Sequence, residues 1–252
     1  MNKTEKLAQI LDRLNQDPAD QAAQQAAKDL ISQVSALELS LAEQKLIEQG
    51  LEPAKLQHLC AAHLEVLEPE MATFRHSLGA GHPVDTMIKE HDAILGLLAE
   101  LEQLSRRLHA LPGYDATDAG FAALTALAEG LIGAENHHLR EEQGLFPLLE
   151  ERGITGPPRI MRMEHEQLRA RKHALLELAE RVKTGMPYDQ FLGALAETAG
   201  YLVFHLRDHI FKENNILYPT AKDTITDPAI WQELKRKCDL IGYCPFTKEE
   251  WK

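Results

Sequence analysis

The chain has 252 residues, with 39 Asp and Glu against 27 Lys and Arg, for a formal net charge of −12. No basic patch with interleaved aromatics occurs, which argues against nucleic acid as a partner. The longest apolar runs fall far short of the about 18 residues that a membrane span needs, so no membrane segment is expected.

The opening residues, MNKTEKLAQILDRL, mix acids and bases and lack the apolar centre of a secretory signal. Three cysteines without a tight pair argue against a disulfide framework. A cytoplasmic location follows as the simplest expectation. Leu and Ala recur at i, i+3, i+4 and i+7, and strand-like alternation is missing, so the expected class is all-α.

Residues 1–76 read as a small helical module. Ser35-Ala36-Leu37-Glu38 has the pattern of a capping box, Gly50 can stop that helix, and Pro53 can open the next, through LQHLCAAHLEVLE. Ser77 to Pro83 holds two glycines and a proline and marks a boundary. Four long helices are then expected, at about 84–109, 118–149, 158–184 and 188–218. Short connections make them antiparallel neighbours, an up-down-up-down bundle over 82–222. Pro147 and Pro219 are expected to close the second and fourth helices. The tail, 223–252, begins with a short helix after Asp227. It is expected either to pack on the bundle or to lead toward a further domain.

One motif occurs twice. HHLREEQGLFP (137–147) and HIFKENNILYP (209–219) share His-x3-Glu-x4-aromatic-Pro, giving His137, Glu141, Phe146 and Pro147, then His209, Glu213, Tyr218 and Pro219. A Glu-His pair precedes each, Glu90-His91 and Glu164-His165. Residues four apart share a helix face, so each unit can offer two His and one Glu to a common centre. Imidazole with carboxylate and no thiolate points to redox metals of the iron type. Two six-coordinate irons have twelve positions. Four His, two bridging carboxylates and one oxo or hydroxo bridge fill ten, leaving one open on each iron for O2, NO or peroxide.

At EHDAIL, HHLREEQGLFP, MRMEHEQLR and HIFKENNILYP the chain resembles the hemerythrin-like HHE cation-binding family, in family order. The likeness covers about 82–220 and is nearest the branch of the repair-of-iron-centres proteins. It implies a non-haem di-iron centre held by His91, His137, Glu141, His165, His209 and Glu213. Oxygen-carrying hemerythrins add a fifth His one turn from the third-helix ligand. Here those positions are Met161 and Arg169, which argues against reversible oxygen carriage and for a more open site. QVSALELSLAEQKLIEQG and LQHLCAAH resemble the DUF438 domain, which often precedes an HHE domain. The N-terminal cysteine pair of the repair proteins is absent here, which weakens direct transfer of their role.

Other residues bear on the same centre. His138 and Glu142, one step off in register, are the alternative to His137 and Glu141; alignment of Phe146 with Tyr218 favours the latter. His205, one turn before His209, is expected in an outer position. Glu90 and Glu164 are outer partners or surface charges. His173 reads as structural, Cys60 with His63 as a buried Cys in a helical module, and Phe146 and Tyr218 as core, with Tyr201 and Tyr218 as candidates to lie near the metals. Cys238 and Cys244 are not expected to bind zinc. The expected function is binding or sensing of O2, NO or reactive oxygen species. The alternative is NO reduction or iron donation in cluster repair, and a purely structural bundle comes last. A protein partner or a homodimer would use the N-terminal module.

Overall fold

A computed structural model describes residues 20–31, 74–79 and 81–252, with Lys6, Gln9, Ile10, Arg13 and Lys45. The Ser35 capping box, the Gly50 and Pro53 breaks, and Cys60 with His63 lie outside the described residues. Among those described there is no strand. Helix α1 is Gln21–Ile31, and the Asp20 carboxylate accepts from the Ala23 amide at 2.9 Å. Ala23 is buried in the same apolar cluster as Leu78, Val84 and Met87.

The bundle follows. Helix α2, Pro83–His109, is capped by His82 Nδ1, which accepts from the Val84 amide, and Pro83 occupies the first turn, where no amide donor is needed. Helix α3, Ala119–Ile132, is capped by Asp118. It continues after a turn as α4, Glu135–Arg140, then a π turn, Glu141–Leu145, then α5, Phe146–Glu150. Helix α6 is Gly156–Lys183. Helix α7, Tyr188–Lys212, runs through a second π turn, Glu213–Leu217, into α8, Tyr218–Thr224. Helix α2 packs on α3 and α7, and α6 packs on the same two, closing a four-helix ring.

Two apolar clusters fill the bundle. One holds Met87, Ile88, Leu145, Phe146, Met161, Leu217 and Tyr218, the other Ile94, Leu101, Leu124, Leu168, Leu202 and Leu206. Burying each such side chain contributes about 1.5–3 kcal/mol. His91 lies between Ile88 and Ile94, and His165 between Met161 and Leu168, so the polar site sits between the clusters.

The expected second helix is interrupted at Gly133, and neither Pro147 nor Pro219 ends its helix. A proline offers no N–H and its ring presses on the carbonyl four residues back. A π turn, with its wider i to i+5 ring, ends one residue short of each proline, at Leu145 and Leu217, and the chain stays helical to Glu150 and Thr224.

The tail packs on the bundle. Helix α9, Pro228–Ile241, is capped by Asp227, and Gly242 ends it at φ +92°. Leu234 of α9 lies 2.7 Å from where a side-chain carbon on Gly144 would stand, so the π turn admits α9 because residue 144 has none. Beyond α9, Asn136 Nδ2 donates to the Tyr243 carbonyl at 3.0 Å and Thr86 Oγ1 to that of Trp251, in a 3₁₀ turn Glu249–Trp251. Gly144→Val should therefore lower stability by roughly 1–3 kcal/mol through overpacking. A thermal melt checks it, and an unchanged melting temperature would mean that α9 yields freely.

Candidate metal centre

The twofold repeat of the sequence is a twofold arrangement in space. His91 Nε2 and His137 Nε2 lie 3.0 Å apart at one end, and at the other the His165 and His209 rings are 4.8 Å apart between centroids. Between them lie the two glutamates. Glu213 places Oε2 3.1 Å from His91 Nε2, and Oε1 2.9 Å from His209 Nε2 and 3.5 Å from His165 Nε2. Glu141 Oε2 lies 3.7 Å from His137 Nε2 and 3.4 Å from His165 Nε2. All six residues named from the sequence thus come together, and each is at most 1 % exposed.

The back of each imidazole is held. Nδ1 of His137 donates to Glu90 at 2.8 Å and Nδ1 of His209 to Glu164 at 2.7 Å. Each carboxylate also takes a buried cation from one turn beyond the histidine it holds, Arg140 for Glu90 and Lys212 for Glu164. Across the units, His91 Nδ1 meets Asn214 Oδ1 at 2.8 Å and His165 Nδ1 meets Glu142 at 2.7 Å. Acceptors on the second nitrogen aim a ligating imidazole and raise its basicity. Glu142 therefore stands outside the site, and Glu141 inside.

Several atoms on the inner side have no hydrogen-bond partner. They are Nε2 of His165 and of His209, Oε2 of Glu141 and both oxygens of Glu213, all buried. With the inner nitrogens deprotonated, these close approaches bring lone pairs toward shared points. An unpaired buried polar atom costs about 1–3 kcal/mol, and a cation at those points satisfies all five together. The donor set fits a metal pair.

Electrostatics agree. Burial raises Glu90 and Glu164, but their histidine and cation partners win and hold both at about 2. Burial also opposes ionisation of Glu213, yet His209, His165 and His91 keep it well below the ordinary range. Burial lowers His165, but Glu141, Glu142 and Glu213 push it up to about 10. A proton there occupies the place that a metal takes, so loading releases protons.

Some residues fall as the sequence allowed and others do not. Tyr218, one of the two tyrosines expected near the centre, is core and also part of the site. Its hydroxyl donates to Glu141 Oε1 at 2.8 Å, and its ring stacks on His91 at 5.6 Å. His138 is buried and faces the cavity beside His137, stacked on His165 at 3.9 Å. His205 packs on Tyr201, and Tyr201 donates to Gln167 rather than meeting the centre. His173 is exposed: eight residues beyond His165 it has turned about 80° away, and Lys172, at seven, takes the inward face. Arg169 pairs with Glu135 and Glu142. Cys238 and Cys244 are buried free thiols whose pKa values burial raises to about 11 and about 12. Thr247, from the tail, donates to Glu90 Oε1; no local sequence signal marks it.

A four-helix bundle with a buried His and Glu site defines the class of cation-binding helical bundles. The model of the hemerythrin HHE cation binding domain matches residues 82–221, and the chain belongs to that family. The model of DUF438, a family of unknown function, matches residues 7–73. The chain is 31% identical over 101 residues to proteins named iron-sulfur cluster repair protein YtfE, from Salmonella schwarzengrund, Salmonella paratyphi B and Salmonella newport. The match covers 39% of this chain and 44% of each relative, so the chain spans less than half the length of the curated relatives it matches. No helix among the described residues is long and apolar enough to cross a membrane.

Two outcomes are expected from the shell around the site. Glu164→Gln should weaken metal binding about 10–100-fold, read by competition with a chromophoric chelator; unchanged affinity would make Glu164 merely structural. Lys172 is buried without a hydrogen-bond partner, and burial lowers its amine to about 8. Its folded value lies below the unfolded one, so the unfolded chain binds more protons between about pH 8 and 10.5 and stability rises with pH there. Each unit of that displacement is about 1.4 kcal/mol. Lys172→Met should raise the urea midpoint at pH 7 and flatten the rise up to pH 10; a lower midpoint at pH 7 would mean that the amine stabilises the fold.

Proposed function

We propose that His91, His137, Glu141, His165, His209 and Glu213 hold two iron ions as a non-haem di-iron centre with an oxo or hydroxo bridge. We further propose that the centre serves iron–sulfur cluster repair under nitrosative or oxidative stress, through NO reduction or iron donation. The observation that carries the metal reading is the set of buried, unpaired donor atoms that converge from three helices of the bundle, with His91 of the fourth facing them. The similarity to proteins named for iron–sulfur cluster repair supports the choice of role.

The iron pair, when bound, supplies redox-active coordination positions for a small diatomic ligand. The protein supplies the rest. Glu213 and Glu141 each reach toward both ends, the orientation a bridging carboxylate needs. Glu90 and Glu164 keep the ligating nitrogens of His137 and His209 turned inward. Burial, followed by the charges of Glu141 and Glu213, pushes Tyr218 well above its ordinary range, so its phenol keeps its proton. That hydroxyl gives its proton to Glu141 and lies 3.4 Å from His137 Nε2, so it stands at the His91 end.

A second reading is a sensor of O2, NO or peroxide. The contact from tail residue Thr247 through Glu90 to His137 favours it, since this chain of bonds joins the centre to the outer segment. A protein partner or a second copy would then meet the N-terminal module.

Anaerobically purified protein should carry about two irons per chain by elemental analysis. His137→Ala and Glu213→Ala should each lose most of that iron, and full retention would remove those residues from the site. Under excess NO and reductant, steady N2O production supports the repair reading. Stoichiometric NO binding without turnover, together with no transfer of iron to an apo-cluster protein, supports the sensor instead.

A further inference from the structure

Beyond α9 the chain forms a strap. Gly242 turns it off the helix at φ +92°, and residues 243–252 run across α2 and α4. The strap is tied by single polar contacts. Asn136 Nδ2 of α4 donates to the Tyr243 carbonyl at 3.0 Å, and Thr86 Oγ1 of α2 donates to that of Trp251. The Arg140 guanidinium lies over the Tyr243 ring, 4.7 Å from its centroid, and Arg140 Nη2 stands 3.9 Å from Cys244 Sγ. Of residues 243–252 only Cys244 is buried. A segment with so little buried surface opens at a fraction of the free energy that unfolds a core, so the strap can lift while the bundle stays folded.

The strap also reaches the two groups that stand behind His137. Glu90 Oε2 accepts from His137 Nδ1 at 2.8 Å and from Arg140, while its other oxygen, Oε1, accepts from Thr247 of the strap. Glu90 is fully buried and Thr247 only half-buried, so the strap is the outer cover of that carboxylate. The helices that these ties join, α2 and α4, are the ones that carry His91 and His137.

We propose that the strap is a latch on one half of the centre, with Thr247 as a positioning residue. Its hydroxyl fixes Glu90, Glu90 aims His137, and lifting the strap loosens the metal at the His91 and His137 end while the His165 and His209 end keeps its own. This rests on the di-iron reading above. The latch gives the protein a way to yield one iron by ligand exchange to an acceptor, with no change of oxidation state, and to retain the other.

The test is iron release from the full chain, loaded with ferrous iron without oxygen and mixed with excess ferrozine, with iron counted in the same samples. Release should fall into two phases of equal amplitude. Thr247→Val keeps the shape and removes the hydroxyl. It should speed one phase about 10-fold, the low end of what loss of an outer partner costs, and leave the other in place. Thr247→Ser should restore the wild-type rate. Glu90→Gln should speed the same phase and Glu164→Gln the other. Thr247→Val should add little to Glu90→Gln, since the hydroxyl acts through that carboxylate. Thr86→Val cuts the tie to Trp251, leaves Glu90 in place and should speed the same phase, so the test stands even where Thr247→Val fails to fold. Unchanged release in the valine variants, equal acceleration of both phases, additive effects with Glu90→Gln, or no recovery in Thr247→Ser would overturn the latch and leave the di-iron centre standing. Fewer than two irons in the wild type would overturn the di-iron reading itself.

Discussion

Glu213 lies in a cavity closed to water, with one carboxylate oxygen turned to His91 and the other to His165 and His209. An ionised carboxylate stripped of water is costly unless cations and donors compensate it. Here the inner partners are imidazole nitrogens, which without a proton or a metal add lone pairs rather than neutralise them. Protons on those imidazoles or a cation between them supply the compensation. The outer layer leaves the inner carboxylates to that role. Glu90 and Glu164 are already balanced by Arg140 and Lys212, so their charge is not free to serve the centre. Glu141, which takes the Tyr218 hydroxyl, and Glu213, which faces the imidazoles, remain to serve the centre.

The two π turns follow from the same demand. In an unbroken α-helix, nine residues carry the chain through roughly 180° of rotation. Tyr218 would then stand opposite His209, and Phe146 opposite His137. A π turn takes up one extra residue and returns each aromatic by roughly 80–100°. Tyr218 thereby reaches Glu141 and stacks on His91, while Phe146 packs on His165 at 5.9 Å. Each turn begins at the glutamate of its motif, Glu141 or Glu213, so the distortion sits where the ligand face and the aromatic face must be reconciled.

Much of this was legible in the chain. Helical periodicity and the Gly and Pro breaks place α2, α6 and α7 within a few residues, and the repeated spacing brings the six donors to one point. What escaped it depends on single-residue register or on distant contacts. Both His137/Glu141 and His138/Glu142 satisfy the i to i+4 rule, and alignment of Phe146 with Tyr218 chooses the first, whereas both imidazoles are buried at the cavity. The prolines read as helix ends because local rules carry no signal for a π turn. Arg140 and Lys212 look like ordinary surface cations until the Glu-His pairs from other helices are folded against them. Thr247 is 157 residues from Glu90, beyond any local pattern.

The departures from twofold symmetry show where the two halves have taken different tasks. His138 stands where the second repeat has Ile210, Phe146 where it has Tyr218, and Glu142 where it has Asn214. The first difference adds a donor near His165 and His209, and the second adds a hydroxyl near His91 and His137. The third changes the charge behind the imidazoles. Glu142 is an ionised acceptor on His165 Nδ1, held below its ordinary range against its own burial by His165 and Arg169, and it strengthens His165 as an electron-pair donor. Asn214 is a neutral acceptor on His91 Nδ1 and gives less. The richer donors thus lie at one end, and the weaker imidazole and the phenol at the other. Under the di-iron reading proposed above, that gradient favours firm retention of a metal at the His165 end and exchange of a small ligand at the His91 end.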